Sequence, residues 1–357
     1  MTERAGKLHA SKWSGVLHIT GGGSGFLSEM LEEPGASKTV LEGSIPYSEK
    51  SLAELLGGRP DQACSLSTAR ALAMAAYEKA KSYEVTDSFG LGCSASLATN
   101  REKKGQHRAH WAIQTATDSF SYSAIYSEDR EMEEKQLVDD LWTTIENALL
   151  SEESRLSQNI VSEHVKADHN WTNLLENLPY RYTESTSEGL LLLPGSFNPV
   201  HQGHKEMLRT AEKITGENGA FELSIKNAEK PSLDYITLTD RLEQMNQYHV
   251  WLTNTATFTE KSRLFQNSVF AVGIDTIKRI GEVRFYNNDP TLMAESLKEL
   301  SSNGVKFLVF GRLQGKHFES MQDLSLPDDL LFLCESVPED IFRSDLSSSQ
   351  LREEDSK

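Results

Sequence analysis

Hydrophobic positions divide the chain into two differently patterned parts. In the first, Phe26, Leu27, Met30 and Leu31 recur at helical spacing, and Pro34-Gly35 ends that helix. A strand-like run, 39–45, follows. Ser65 or Ser67 is placed to cap an alanine-rich helix reaching Lys81, with Ala69, Leu72, Ala73, Ala76 and Ala80 along one face. Two β-like stretches come next, 89–95 and 109–126; in the second, Phe120, Tyr122, Ala124 and Tyr126 alternate as in a half-buried strand. Leu137, Leu141, Ile145 and Leu149 then mark a long amphipathic helix. The pattern predicts a mixed α/β domain over residues 1–150.

Residues 151–188 are polar and read as a linker with a short helix around 171–178. From Leu190 onward strands and helices alternate. Strands are expected at 190–193, 221–225, 250–252, 268–272, 305–310 and 331–333, with helical patterns such as Met207, Leu208, Ala211 and Ile214 between them. Such alternation predicts a doubly wound parallel sheet over 189–357, so the fold class is α/β in two domains. No internal repeat relates the halves.

Composition narrows the partners. The 357 residues carry a net charge of -17, and both halves are acidic, so neither is built to neutralise nucleic acid or an anionic membrane. Any anionic ligand must meet a local cluster of donors. Cys64, Cys93 and Cys334 are widely spaced and odd in number, which excludes a disulfide framework or a CxxC metal site. The run Leu190 to Leu193 is far too short to cross a bilayer, and no signal-like apolar stretch precedes Thr20. The expectation is a soluble protein of the reducing cytoplasm.

The sharpest chemical signal is Pro194-Gly195-Ser196-Phe197-Asn198-Pro199-Val200-His201-Gln202-Gly203-His204, a tight turn between a buried strand and a helix start. Gly195 permits close approach of backbone to phosphate, and free amides at the helix start favour an anion. His201 and His204, three apart, share a face and can donate to phosphoryl oxygens. The string resembles the G-x-F-x-P-x-H-x-G-H signature of the nucleotidylyltransferase superfamily, whose members share a Rossmann-like fold. Leu346-Ser347-Ser348-Ser349-Gln350-Leu351-Arg352 is similar to that family's second signature, I-S-S-T-x-I-R, in which Ser348, Ser349 and Arg352 would hold phosphates.

Two further segments resemble the nicotinamide mononucleotide adenylyltransferases within that superfamily. Phe270-Ala-Val-Gly273-Ile-Asp275 is similar to their strand-then-G-x-D element, with Gly273 admitting the nucleotide and Asp275 binding it. Phe310-Gly311-Arg312 is similar to their strand-end arginine near the ATP phosphates. Taken alone, Asp275 is equally a helix cap and Arg312 a surface ion pair. Lys230 is either a substrate-phosphate lysine or a solvated loop lysine. The resemblance implies transfer of AMP from ATP to nicotinamide or nicotinate mononucleotide, with release of pyrophosphate. His201, His204 and Arg352 would be catalytic, and Gly195, Ser196, Phe197, Gly273, Asp275, Arg312, Ser348 and Ser349 would bind the nucleotide, with Mg2+ carried on it. The alternatives are a cytidylyltransferase acting on a phospho-alcohol and a nucleotide-binding regulatory protein without turnover.

Residues 15 to about 150 resemble a second family, the carboxyl-terminal domain of competence/damage-inducible protein CinA, whose active members are nicotinamide-nucleotide amidases. The resemblance rests on Thr20-Gly-Gly-Gly-Ser-Gly25, Pro34-Gly-Ala-Ser37, Pro46-Tyr47-Ser48 and Asp129-Arg130. That family carries S-C-T-G-G followed by Y-S-N-E-A-K. By ungapped counting its serine falls on Thr20 and its lysine on Leu52, with Lys50 two residues early. Thr20 or Ser24, with Tyr47 and Lys50, would form an amidase-like site; the turn from Gly21 to Gly25 is otherwise phosphate-binding or structural. The departures favour an inactive or ligand-binding domain over a working amidase, the latter making the chain bifunctional. The partners implied are small-molecule nucleotides, with homo-oligomerisation through the CinA-like domain.

Overall fold

The computed structural model describes residues 2–100, 105–185, 190–227, 229–314 and 317–343. The chain splits into two compact units, one comprising Met1–Thr172 with Glu229–Leu238 and the other Asn173–Ala228 with Thr239–Lys357.

In the first unit the order is α1 (Thr2–His9), β1 (Ser14–Thr20), α2 (Ser24–Glu32), α3 (Ala36–Thr39), β2 (Val40–Ser44), α4 (Glu49–Leu55), α5 (Leu66–Lys81), β3 (Ser88–Ser96), β4 (His107–Thr115), β5 (Asp118–Tyr126), α6 (Arg130–Leu150), β6 (Ile160–Lys166) and α7 (His169–Leu174). The six strands form one sheet in the order β2-β1-β3-β4-β5-β6, parallel across β2-β1-β3 and antiparallel thereafter. The stretch expected as one β region over 109–126 is a hairpin, β4 and β5. Its core joins Phe26 and Met30 of α2 to Leu137, Leu141, Trp142 and Ile145 of α6 across Leu17, Leu91 and Trp111. On the opposite face α5 lies directly on β3, because Gly90 and Gly92 present no side chain there. A Cβ at either would come within 2.1–2.3 Å of the helix backbone.

The second unit contains β7 (Arg181–Tyr182), β8 (Leu191–Gly195), α8 (Gln202–Thr215), β9 (Gly219–Ser224), α9 (Tyr235–Glu243, whose first residues belong to the first unit), β10 (Val250–Thr253), α10 (Phe258–Leu264), β11 (Val269–Gly273), α11 (Ile274–Ile280), α12 (Pro290–Ser302), β12 (Lys306–Phe310), β13 (Arg312–Gln314), β14 (His317–Glu319), α13 (Asp328–Leu331) and β15 (Cys334–Val337). Its main sheet runs β15-β12-β11-β8-β9-β10-β7, parallel except for β7. A buried ion pair stiffens one face. Lys261 of α10 reaches both oxygens of Glu222 on β9, at 2.6 and 2.7 Å, and Thr253 donates to the same carboxylate.

Two expectations need correction. The stretch 151–188 is not a bare linker: β6 completes the first sheet beside β5, and β7 pairs with β10 in the second. Polar composition misled there because β6 is an edge strand with exposed residues on both faces. The strand expected at 331–333 is displaced. Asp328–Leu331 is a helical turn, and the strand begins at Cys334.

Candidate nucleotide crevice and a second cavity

Strand order reverses between β8 and β11. From β8 the chain builds outward through β9 and β10, then returns to β11 and builds the other way through β12 and β15. Open α/β sheets bind ligands at such a switch point, beyond the strand carboxyl ends. Here the two strands also part. β8 and β11 are in register only at Leu191–Val269 and Leu192–Phe270, whereas β8 stays paired with β9 through Gly195 and β11 with β12 through Gly273. Gly195 and Gly273 therefore stand on opposite lips of an opening in the sheet edge.

On the β8 lip, Phe197 adopts a left-handed φ of 46° and its side chain is buried beneath the turn, edge-on to Phe221 at 5.0 Å and His204 at 5.2 Å. This gives Gly195 a role beyond phosphate approach, since a Cβ there would sit 2.7 Å from the Phe197 ring. Ser196 is exposed, and its carbonyl accepts a hydrogen bond from Arg241 Nη1 at 2.6 Å.

His201 caps α8 and His204 lies in its first turn. Their rings stack with centroids 3.7 Å apart. The His201 backbone N–H donates to His204 Nδ1 at 3.3 Å, so the neutral His204 ring carries its proton on Nε2. His201 Nδ1 is buried with no hydrogen-bond partner among the described residues. Burial, reinforced by the neighbouring His201, pushes His204 down to about 4, and burial lowers His201 as well. Two neutral imidazoles at a helix amino end form a donor pair whose protonation an arriving anion would favour.

On the β11 lip, Gly273 caps α11 with nothing within 4 Å of where a Cβ would lie. Asp275 and Arg312 are brought together, but as partners of each other in a half-exposed ion pair. The segment holding Lys230 belongs to the first unit, with the lysine Cε 3.7 Å from the Cβ position of Gly58. Ser348, Ser349 and Arg352 lie outside the described residues.

In the first unit a cavity of about 360 Å³ opens at the carboxyl ends of β1 and β3, lined by Thr20, Gly21, Tyr47, Arg59, Asp61, Cys64, Ser96 and Arg130 among others. The four expected amidase-like residues do not converge in it. Thr20 and Tyr47 line it, but the Thr20 hydroxyl donates to the Pro46 carbonyl at 3.0 Å. Ser24 points to Glu134, and Lys50 is 87% exposed, 3.9 Å from Glu54. The glycine turn is filled by the chain itself: Glu134 accepts from the Gly23 and Gly25 amides at 2.9 and 3.3 Å. A carboxylate thus occupies the anion position at the start of α2, and the structural reading of the turn prevails.

The family model described as cytidylyltransferase-like matches residues 192–354. The second unit carries a cytidylyltransferase-like nucleotidylyltransferase domain. No curated protein matches the chain. Among solved structures, the competence/damage inducible protein CihA from Agrobacterium tumefaciens is 17% identical, with 42% of this chain and 94% of that chain covered and a TM-score of 0.34. A competence or damage-inducible protein from Enterobacter asburiae is 14% identical over 40% of this chain and 95% of that one, with a TM-score of 0.33.

The cytidylyltransferase-like domain thus presents its histidine turn and its Gly273 lip at one crevice. Arg241 escaped sequence reasoning because its partner, Ser196, is 45 residues away and no local string marks it. Among the described residues no group of three or more His, Cys, Asp and Glu side chains is placed to hold a metal ion, and no helix is long and apolar enough to cross a membrane.

Proposed function

We propose that the chain transfers AMP from ATP to nicotinamide or nicotinate mononucleotide, releasing pyrophosphate. The observation that carries this reading is the stacked His201–His204 pair at the opened switch point. An oxygen of the acceptor phosphate attacks the α-phosphorus in line, the bond to the bridging oxygen breaks, and the electron pair leaves with pyrophosphate. Such transfers depend on positioning and charge stabilisation more than on a covalent nucleophile. His204 Nε2–H and the His201 ring donate to the non-bridging oxygens of the transferred group. Ser196 and Phe197 offer backbone amides, Gly273 leaves room for the nucleotide, and Arg312 reaches phosphate oxygens once it exchanges Asp275 for them. Arg352, Ser348 and Ser349 are assigned to the departing pyrophosphate on motif alone. Mg2+ arrives on the triphosphate as part of the substrate and supplies charge neutralisation, which calls for few protein ligands.

The adenylyl assignment rests on the resemblance of 270–275 and 310–312 to the pyridine-nucleotide branch. The family description is cytidylyltransferase-like, and a cytidylyltransferase acting on a phospho-alcohol is the second reading. Pyrophosphate release measured with ATP and CTP, each against nicotinamide mononucleotide, nicotinate mononucleotide and glycerol phosphate, separates them. ATP with a pyridine mononucleotide should be the fastest pair, and CTP with glycerol phosphate in that place would install the second reading.

The amino-terminal unit is assigned ligand binding without hydrolysis, a pyridine nucleotide being the ligand its family resemblance implies. The Thr20 hydroxyl donates to a carbonyl rather than to a base, so that hydrogen bond does not activate it as a nucleophile.

A further inference from the structure

We propose that Arg241 is a positioning residue for the phosphate-binding turn, an assignment that rests on the nucleotidylyltransferase reading. The turn from Gly195 to His201 is held from two sides. Beneath it, the buried Phe197 ring packs against Phe221 and His204. At its surface, Arg241, on the last turn of α9, donates through Nη1 to the Ser196 carbonyl at 2.6 Å.

That carbonyl belongs to the peptide joining Ser196 to Phe197. In a planar trans peptide the carbonyl and the following N–H point in opposite directions, so fixing one aims the other. Arg241 therefore sets the direction of the Phe197 amide, a donor of the turn, while touching no substrate itself. The peptide needs such a fastening because Phe197 sits at φ 46°, a conformation a bulky residue adopts only when its surroundings impose it. The hydrogen bond is exposed, so it adds little to global stability. Its effect falls on the geometry of the turn, where small misplacements of a donor are costly to phosphoryl transfer.

The test compares Arg241→Met and Arg241→Lys with the wild-type full chain, measuring kcat and KM for the triphosphate, KM for the acceptor, and Tm. Arg241→Met should lose on the order of ten-fold in kcat/KM for the triphosphate, with Tm and acceptor KM unchanged. Arg241→Lys should recover part of the loss, since one N–H to the carbonyl suffices for the fastening. An active Arg241→Met protein with wild-type kcat/KM overturns the assignment. So does a loss that merely follows a fall in Tm, which would mark a structural residue. A wild-type chain that releases no pyrophosphate with any triphosphate and acceptor is a different outcome: it removes the nucleotidylyltransferase reading itself.

Discussion

The imidazoles of His201 and His204 stack 3.7 Å apart, and the backbone N–H of the first is bonded to Nδ1 of the second. A protonated pair in that geometry would be repulsive, and burial already disfavours charge, so the free protein keeps both rings neutral near pH 7. An NMR titration should place His204 at about 4 in the free protein. Saturating triphosphate should raise both histidines, because an anion favours the protonated form.

The same depression has a stability consequence. An unfolded histidine takes up its proton near 6.5, the folded His204 only at about 4. Between these values the unfolded state binds more protons, so stability falls as pH drops through that window. The contribution is at most about 3 kcal/mol. Denaturant midpoints at pH 7 and pH 4.5 should differ less in His204→Gln than in the wild type; an identical pH dependence would contradict the buried, neutral assignment.

Glu134 satisfies the amides of Gly23 and Gly25 at the start of α2. Glu134→Ala should lower the stability of the first unit by about 1–2 kcal/mol, as loss of a helix cap does. Phosphate added to the wild type should not shift the Gly23 or Gly25 amide resonances, since the site is filled; a saturable shift there would show that the turn is a ligand site after all.

Tyr235 belongs by sequence to the second domain and by packing to the first. It is 1% exposed, its hydroxyl donates to Ala116 O at 2.6 Å, and its amide donates to Ser119 Oγ at 2.9 Å. Tyr235→Ala should cost about 3–5 kcal/mol in the stability of the first unit. A fragment ending at Thr172 should melt well below the full chain, and equal melting temperatures would show that the segment Glu229–Leu238 contributes nothing to that unit.

In the first unit the hydroxyl of Thr20 is committed to Pro46 O. The chain should release no ammonia from nicotinamide mononucleotide above a blank. Release that disappears in Thr20→Ala would make the chain bifunctional.

The turn at Gly195 to His204 was legible because every part of it is local: a buried strand, a glycine and two histidines one helical turn apart. The strands of the second sheet were legible for the same reason, as buried apolar runs. What escaped depends on distant partners. Polar β6 forms because β5 offers it a free edge, and the segment around Lys230 joins the first unit because the residues after it, Ser232 and Asp234, meet Glu78 and Arg70 there. Asp275 and Arg312 read as two separate ligand residues, yet 37 residues apart they pair with each other. Such pairings carry no periodicity and no motif.

The central claim is that the histidine turn transfers a nucleotidyl group. Its most direct test is pyrophosphate release from ATP and nicotinamide or nicotinate mononucleotide by the full chain, wild type beside His204→Ala, each checked for folding by its melting curve. A turnover that falls by about a hundred-fold or more in a variant that remains folded is the expected result, since the lost donor acts on charge in the transition state. Undiminished release by the folded His204→Ala protein would contradict the account.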